Sequence, residues 1–415
     1  MPAATPAHDF FEALSLVLCV AAVTTVLFHR LRQPVVLGYL LAGVLVGPHV
    51  AFPLFADPDT IHTLSELGVI LLMFALGLEF RLAKLVALGP TAGVTALIQC
   101  SIMTWLGFVL GRAFGWTTPE SLFAGAILAI SSTTIIAKAF DEQGVRGRLR
   151  ELVVGILIVE DLIAVVLMAA LTAIASGAGL SPGALGLVTG RLLLFMLALV
   201  ALGLLLVPRA IRAVVALRRP ETTLVASVGI CFGVAWLAQW FGYSVALGAF
   251  IAGSLVAESG HAEEVERLVG PVKDVFAAIF FVSVGMLIDP AVVVLYAGPI
   301  AALTLAVILG KIASVAIGAF LTGAPPRLAI QAGMSLAQIG EFSFIIAGLG
   351  VSLGATRDFE YPVAVSVSAL TTLTTPWLIR ASGPFASWVD RRLPHRLQTF
   401  VSLYGGWIAR IRRST

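Results

Sequence analysis

Residues 152–175 read LVVGILIVEDLIAVVLMAALTAIA, an apolar run in which only Glu160 and Asp161 carry charge. At 1.5 Å of rise per residue, about 20 apolar residues take a helix across the roughly 30 Å hydrocarbon layer of a bilayer. This run is long enough to do so. Similar runs, bounded by Pro, Gly and charge, recur near 10–28, 34–50, 61–80, 87–111, 121–140, 186–208, 222–240, 242–257, 270–288, 298–322, 328–350 and 361–380, which makes thirteen expected spans. Hydrophobic types make up 59% of the 415 residues and charged types 12%, with a mean hydropathy of +1.02. Soluble domains hold about 45–50% and about 25%. A soluble globular protein is excluded, and the fold class expected is an all-α polytopic membrane protein.

The basic residues test that span count. With the N-terminus outside, the loops on the inner side collect twenty-two of the Lys and Arg residues. They include Arg30 and Arg32, Arg81 and Lys84, the set Lys138 to Arg150, the set Arg209 to Arg219, and the C-terminal arginines from Arg380. Only Arg112, Arg191 and Arg357 fall outside, and Lys311 falls within a span. A missed or invented helix would invert every later loop and mix the two groups, so the sidedness predicts thirteen spans with the C-terminus in the cytoplasm. Thirteen also divides as two six-helix repeats of opposite orientation around one linker helix, the topology of inverted-repeat transporters. Gly38-Tyr39 opens the second span as Gly242-Tyr243 opens the ninth, and Phe74–Phe80 resembles Phe281–Ile288 in the next.

Other features point away from soluble chemistry. Cys19, Cys100 and Cys231 all sit in apolar runs and read as small buried hydrophobes, not a disulfide or metal framework. The stretch before Phe10 lacks the basic flank of a cleavable signal peptide, so the first run is expected to be retained. The net charge of +3 gives no sign of a nucleic-acid partner. His29, His49, His62, His261 and His395 lie at or beyond span ends and His8 in the N-terminal tail. No metal-ligand pair is expected within a span, and neither a metal-dependent enzyme nor a cofactor is expected.

Four ionisable residues lie deep within spans. Glu160 and Asp161 fall about nine residues from the inner end of the sixth span, Lys311 about eleven residues into the eleventh, and Glu341 near the middle of the twelfth. A charge at such depth costs at least about 2.5–3.5 kcal/mol, so it faces an aqueous cavity or a partner. Adjacent side chains on a helix diverge by about 100°, so one lysine does not serve both acids equally. One acid pairs while the other faces the cavity. A carboxylate held in low dielectric beside a second one binds a proton more readily, which brings proton and metal cation into competition. The fifth span carries Ser131-Ser-Thr-Thr134 and the twelfth carries Gln338-Ile-Gly-Glu341. Polar interruptions in the fifth helix of each six-helix unit predict discontinuous helices that cross at a midplane site, with Glu341 neutralising exposed amide ends.

Together these motifs resemble the monovalent cation:proton antiporter-2 family, and within it the Kef-type potassium:proton branch. The matching pieces run from Gly38-Tyr-Leu-Leu-Ala-Gly43 and Gly47-Pro48 through Leu67-Gly-Val, Gly77-Leu-Glu79, Ser131–Thr134 and Glu160-Asp161. They continue with Glu258, Pro271-Val-Lys273, Phe280–Met286, Lys311 and Gln338–Phe342. The resemblance implies a sodium/proton-antiporter-like fold in a homodimer. Residues 10–80 and 222–288 would form the dimerisation scaffold, 87–175 and 298–380 the mobile core, and 186–208 the linker. It also implies that Asp161 is the cation- and proton-binding carboxylate and that Lys311 is the family's intramembrane lysine. Glu160 stands where Kef-type relatives carry Gln, a departure that bears on ion preference and stoichiometry.

Such relatives continue into a cytosolic nucleotide-binding domain that gates transport. The 35 residues after Arg380 show no strand–turn–helix pattern or Gly-rich phosphate loop. Residues 381–415 are expected to be a basic, amphipathic cytoplasmic tail, with any regulatory domain either a separate chain or a continuation of this one. The acidic loop Glu258–Glu266 is expected to be solvated.

The expected mechanism is alternating access in a bacterial-type inner membrane, with an elevator-like movement of the core. Asp161 alternately binds a proton and a dehydrated K⁺, coordinated by Thr133, Ser132 and backbone carbonyls. Lys311 pairs with Glu160, and with Asp161 when no ion is bound. Glu341, Gln338 and Thr134 support the helix crossing. Sodium:proton exchange on the same residues is the alternative. A cation channel is a more distant reading, because no repeated Thr-Val-Gly-Tyr-Gly carbonyl filter occurs.

Overall fold

The computed structural model describes residues 6–30, 35–49, 58–79, 89–175, 182–241, 245–286 and 288–392. Gly242-Tyr243, the inner-loop residues Arg32, Arg81 and Lys84, and the tail beyond residue 392 lie outside them. The regular elements among the described residues are helices: α1 (Pro6–Arg30), α2 (Val35–Val46), α3 (Pro58–Glu79), α4 (Gly89–Ala113), α5 (Thr118–Ala129), α6 (Thr133–Gln143), α7 (Arg148–Ala175) and α8 (Pro182–Val215). They continue as α9 (Pro220–Trp240), α10 (Val245–Ala257), α11 (Ala262–Met286), α12 (Pro290–Leu295), α13 (Ala297–Leu321), α14 (Pro326–Ser335), α15 (Glu341–Ser352) and α16 (Glu360–Arg392). Eight helices in the described residues are long and apolar enough to cross a membrane. Four shorter apolar segments, Val35–Val46, Thr63–Leu78, Val245–Ala257 and Glu341–Ser352, accompany them.

The chain forms two compact units, Met1–Leu82 with Met168–Val294, and Ala83–Leu167 with Leu295–Thr415. In the first, α3 packs on α10 and α11, α2 on α11, and α9 on α10. Two glycine pairs set these crossings. A Cβ at Gly43 would lie 2.6 Å from the Cα of Gly285, and a Cβ at Gly77 would lie 2.9 Å from the Cα of Gly253. Small residues let helix backbones touch where lipid supplies no hydrophobic drive for association. Ala13, Val17, Leu64, Ile279, Val282 and Met286 fill the adjoining core.

In the second unit, α4 packs on α5 and α13, α13 on α14 and α16, and α15 on α5 and α16. Its core of Ala96, Ile136, Phe140, Ile156, Val315 and Leu336 draws together helices from both chain segments. α5 starts on a capping box in which Thr117 N donates to Glu120 Oε2 (2.8 Å) and Glu120 N to Thr117 Oγ1 (3.4 Å). Pro119 sits in the first turn, where its missing N–H costs nothing.

Two helices run past the span ends read from the sequence. α8 continues through Pro208 to Val215, and α16 through Pro376 and Pro384 to Arg392. A proline frees carbonyls in the preceding turn without stopping the helix if other donors replace the lost one. Around Pro208 side chains add bonds to neighbouring carbonyls: Arg209 Nη1 bonds Leu205 O, and Arg212 Nε bonds Pro208 O at 3.1 Å. Beside Pro376, Gln143 Nε2 donates to the Pro376 carbonyl at 2.9 Å.

Candidate ion-exchange site

The α5–α6 segment is helical to Ala129, non-helical at Ile130–Ser132 with Ile130 extended, and helical again from Thr133. The α14–α15 segment is likewise interrupted between Ser335 and Glu341. Each interruption leaves amide and carbonyl groups without intrahelical partners in a region without bulk water. The two breaks meet and satisfy one another. Gly340 N donates to Ile130 O at 3.2 Å, Ser132 N to Gln338 Oε1 at 3.1 Å, and Gln338 Nε2 to Ser132 O at 3.2 Å. A side-chain amide thus stands in for a facing peptide. Gly340 is required by proximity, because a Cβ there would fall 2.5 Å from the Cα of Ser132.

Side chains on α4, α15 and α16 close this crossing. Gln99 on α4 donates from Nε2 to Ala129 O at 2.8 Å, capping the end of α5. Ser343 Oγ on α15 donates to Ile127 O at 2.7 Å, and Ser368 Oγ on α16 donates to Ile339 O at 3.0 Å. Glu341 opens α15, where the helix dipole favours an anion, and accepts from Ser132 Oγ at 2.5 Å.

Glu160 and Asp161 of α7 reach different places. Glu160 has no exposed surface, and its Oε2 accepts from Ser131 N at 2.8 Å, while its Oε1 is buried without a hydrogen-bond partner. Lys311 of α13, also wholly buried, donates from Nζ to Ser131 Oγ at 2.7 Å. Ser131 therefore joins ammonium to carboxylate, through its hydroxyl on one side and its N–H on the other. Asp161 keeps 9% of its surface and accepts from Thr133 Oγ1 at 3.1 Å. Glu160 is built into the crossing, and Asp161 stands at its edge.

The residues singled out from the sequence thus converge: Ser132, Thr133, Glu160, Asp161, Lys311, Gln338 and Glu341 all lie in the second unit at this crossing. The side chain of Thr134 lies outside the described residues. Ser131 as the bridge and Gln99 as the cap were not foreseen as site residues. A lone amide inside the apolar run of α4 is the signal that points to Gln99. Nothing in sequence separates Ser131 from its serine and threonine neighbours.

With this geometry in hand, comparison with known proteins places the chain. The profile of the sodium/hydrogen exchanger, transmembrane family matches residues 15–380, and the chain belongs to that family. It is 32% identical over 376 residues to K(+) efflux antiporter 5 of Arabidopsis thaliana, an alignment covering 88% of this chain and 65% of the relative. It is 30% identical to the Na(+)/H(+)-K(+) antiporter GerN of Bacillus cereus, covering 90% of this chain and 96% of the relative. Its fold is similar to that of the sodium proton antiporter MjNhaP1 of Methanocaldococcus jannaschii, with a TM-score of 0.65, 15% identity, and 91% and 98% of the two chains covered. The Kef-type resemblance read from the motifs agrees with the potassium antiporters among these relatives. The chain is a helical, multi-pass membrane protein of a transporter family.

Proposed function

We propose that this protein exchanges a monovalent cation, K⁺ foremost, for protons across the membrane, with Asp161 as the carboxylate the two ligands share. The observation that carries this reading is the unequal fate of adjacent acids. Glu160 is held by Ser131 and linked through it to Lys311, while Asp161 keeps accessible surface beside the Thr133 hydroxyl. One acid is tied to the lysine through Ser131, and the other keeps accessible surface at which a proton and a cation can compete. Occupancy by a proton excludes the cation and the reverse, so coupling follows from a single site. Thr133 and Ser132 lie at hand to support the cation, while Glu341, Gln338 and Thr134 support the crossing.

The finer architecture belongs to the same reading: thirteen spans, two inverted six-helix repeats around a linker helix, the N-terminus outside and the C-terminus in the cytoplasm of a bacterial-type inner membrane. The paired glycine crossings support the repeat, since α2 on α11 and α3 on α10 exchange under a two-fold relation between the repeats. The first unit serves as scaffold in a homodimer, the second as the moving core, and cytosolic regulation comes from a further domain or partner. Sodium is the second reading, because a relative matched over 96% of its length carries both ions in its name.

The test is cation-dependent proton movement in proteoliposomes with imposed K⁺, Na⁺ and pH gradients. The expected result is K⁺-driven alkalinisation or acidification that Asp161→Asn abolishes. Full exchange by that variant removes Asp161 from the centre of the scheme.

A further inference from the structure

In the first unit, the end of α8, the start of α9 and the first turn of α11 enclose a cleft of about 470 Å³ whose lining includes Arg212, Val215, Ala216, Arg218, His261 and Glu264. Steps of three and four residues put Leu202, Leu205, Arg209, Arg212 and Ala216 on one face of α8. Leu202 and Leu205 are 60% and 53% exposed, in a segment, Leu199–Ala216, apolar enough to lie in a membrane. That face therefore changes along its length from a bare apolar strip to Arg209 and then to Arg212 at the cleft. The arginine stems lie back along the helix, each guanidinium spending one donor on a carbonyl of the preceding turn and keeping others for a ligand.

Arg218 adds a second side to the cleft. It ends the helical stretch at φ 54, and among the described residues it is the non-glycine in the left-handed region. Glycine closes a helix in that conformation without a Cβ penalty. An arginine there turns the chain and lines the same cleft as Arg212. Among the lining residues Arg212 and Arg218 outnumber the one acid, Glu264, which lies 3.7 Å from His261 Nδ1. Planar guanidinium forks match phosphate oxygens in pairs, and the exposed leucines continue directly from them.

We propose that this cleft binds the headgroup of an anionic glycerophospholipid, its phosphate between Arg212 and Arg218 and one acyl chain along Leu202 and Leu205. The contiguous apolar strip selects a lipid over a soluble anion. Arginines that merely complement the helix terminus need no ligand and discriminate none.

The test is native mass spectrometry and thermal unfolding of the full chain in detergent, with phosphatidylglycerol, phosphatidylcholine or inorganic phosphate added. The expected result is retention of phosphatidylglycerol over phosphatidylcholine by roughly tenfold or more, the weight of one charge-assisted contact, with stabilisation by phosphatidylglycerol alone. The paired variant Arg212→Gln/Arg218→Asn should lose that preference, and Asn suits the left-handed position. Arg391→Gln/Arg392→Gln on α16 should keep it. If the paired variant fails to fold, Arg218→Asn alone should weaken the preference. An unselective wild type, a preference that survives loss of both arginines, or equal stabilisation by inorganic phosphate would overturn the proposal.

Discussion

A carboxylate inside a membrane has few neighbours to answer it, so the partner of each oxygen decides what the residue does. Glu160 Oε2 takes the Ser131 N–H, and Lys311 reaches the hydroxyl of the same serine. Removing the lysine leaves a buried acid without its counter-charge, which typically costs 3–5 kcal/mol. Lys311→Met is therefore expected to lower stability by about that amount, and adding Glu160→Gln should recover more than half. Thermal unfolding of the two purified variants in detergent would check this. Asp161→Asn lies at the edge of the network, so it is expected to stop exchange while leaving the unfolding midpoint within a few degrees of the unmodified protein.

At the scale of elements, the breaks between α5 and α6 and between α14 and α15 exist because each completes the other. Gly340→Ala would drive a methyl against the Ser132 backbone and is expected to abolish exchange and destabilise the second unit, read as loss of monodisperse protein on size-exclusion chromatography. Gln99→Leu leaves the Ala129 carbonyl without its donor, an expected loss of about 1–3 kcal/mol. Unchanged stability in Gln99→Leu would argue against a donor role.

A second tie joins α5 to the segment before α16. Arg357 Nε and Nη2 both bond the buried Glu120 carboxylate, the second at 3.0 Å, while the guanidinium lies 4.9 Å over the Phe359 ring. The hydrogen bond from Arg357 outweighs burial and, with the Thr117 cap, holds Glu120 down to about 2. A depressed carboxylate stabilises fully above its ordinary value and loses that contribution as pH falls toward the depressed one. The unfolding midpoint is therefore expected to fall between about pH 5 and pH 2. In Arg357→Gln the curve should flatten, with the two proteins converging at the acid end. Arg357 is 61% exposed, so salt should narrow the difference.

For the whole molecule, the proposed topology predicts which loops a membrane-impermeant maleimide reaches in intact cells. With the three native cysteines replaced, a cysteine at Asp358 is expected to label from outside. One at Arg146 or Glu264 should label only after permeabilisation. Labelling of Glu264→Cys from outside would break the thirteen-span arrangement.

Membrane residence, the rough position of the apolar segments and the depth of Glu160, Asp161, Lys311 and Glu341 follow from the sequence alone, because a bilayer sorts residues along one coordinate and a linear string carries that coordinate. The polar interruptions at Ser131–Thr134 and Gln338–Glu341 were legible for the same reason. Helix ends were less so: the spans read as ending at 208 and 380, yet α8 and α16 run on to Val215 and Arg392, since a proline within a helix removes a single backbone donor and need not end it. Only the tertiary structure decided that Ser131 joins Lys311 to Glu160, that Gln99 caps α5, and that Asp161 is the acid left at the edge. Those outcomes depend on which groups from distant parts of the chain come within about 3 Å of one another, and hydropathy along a chain holds no information at that range across helices.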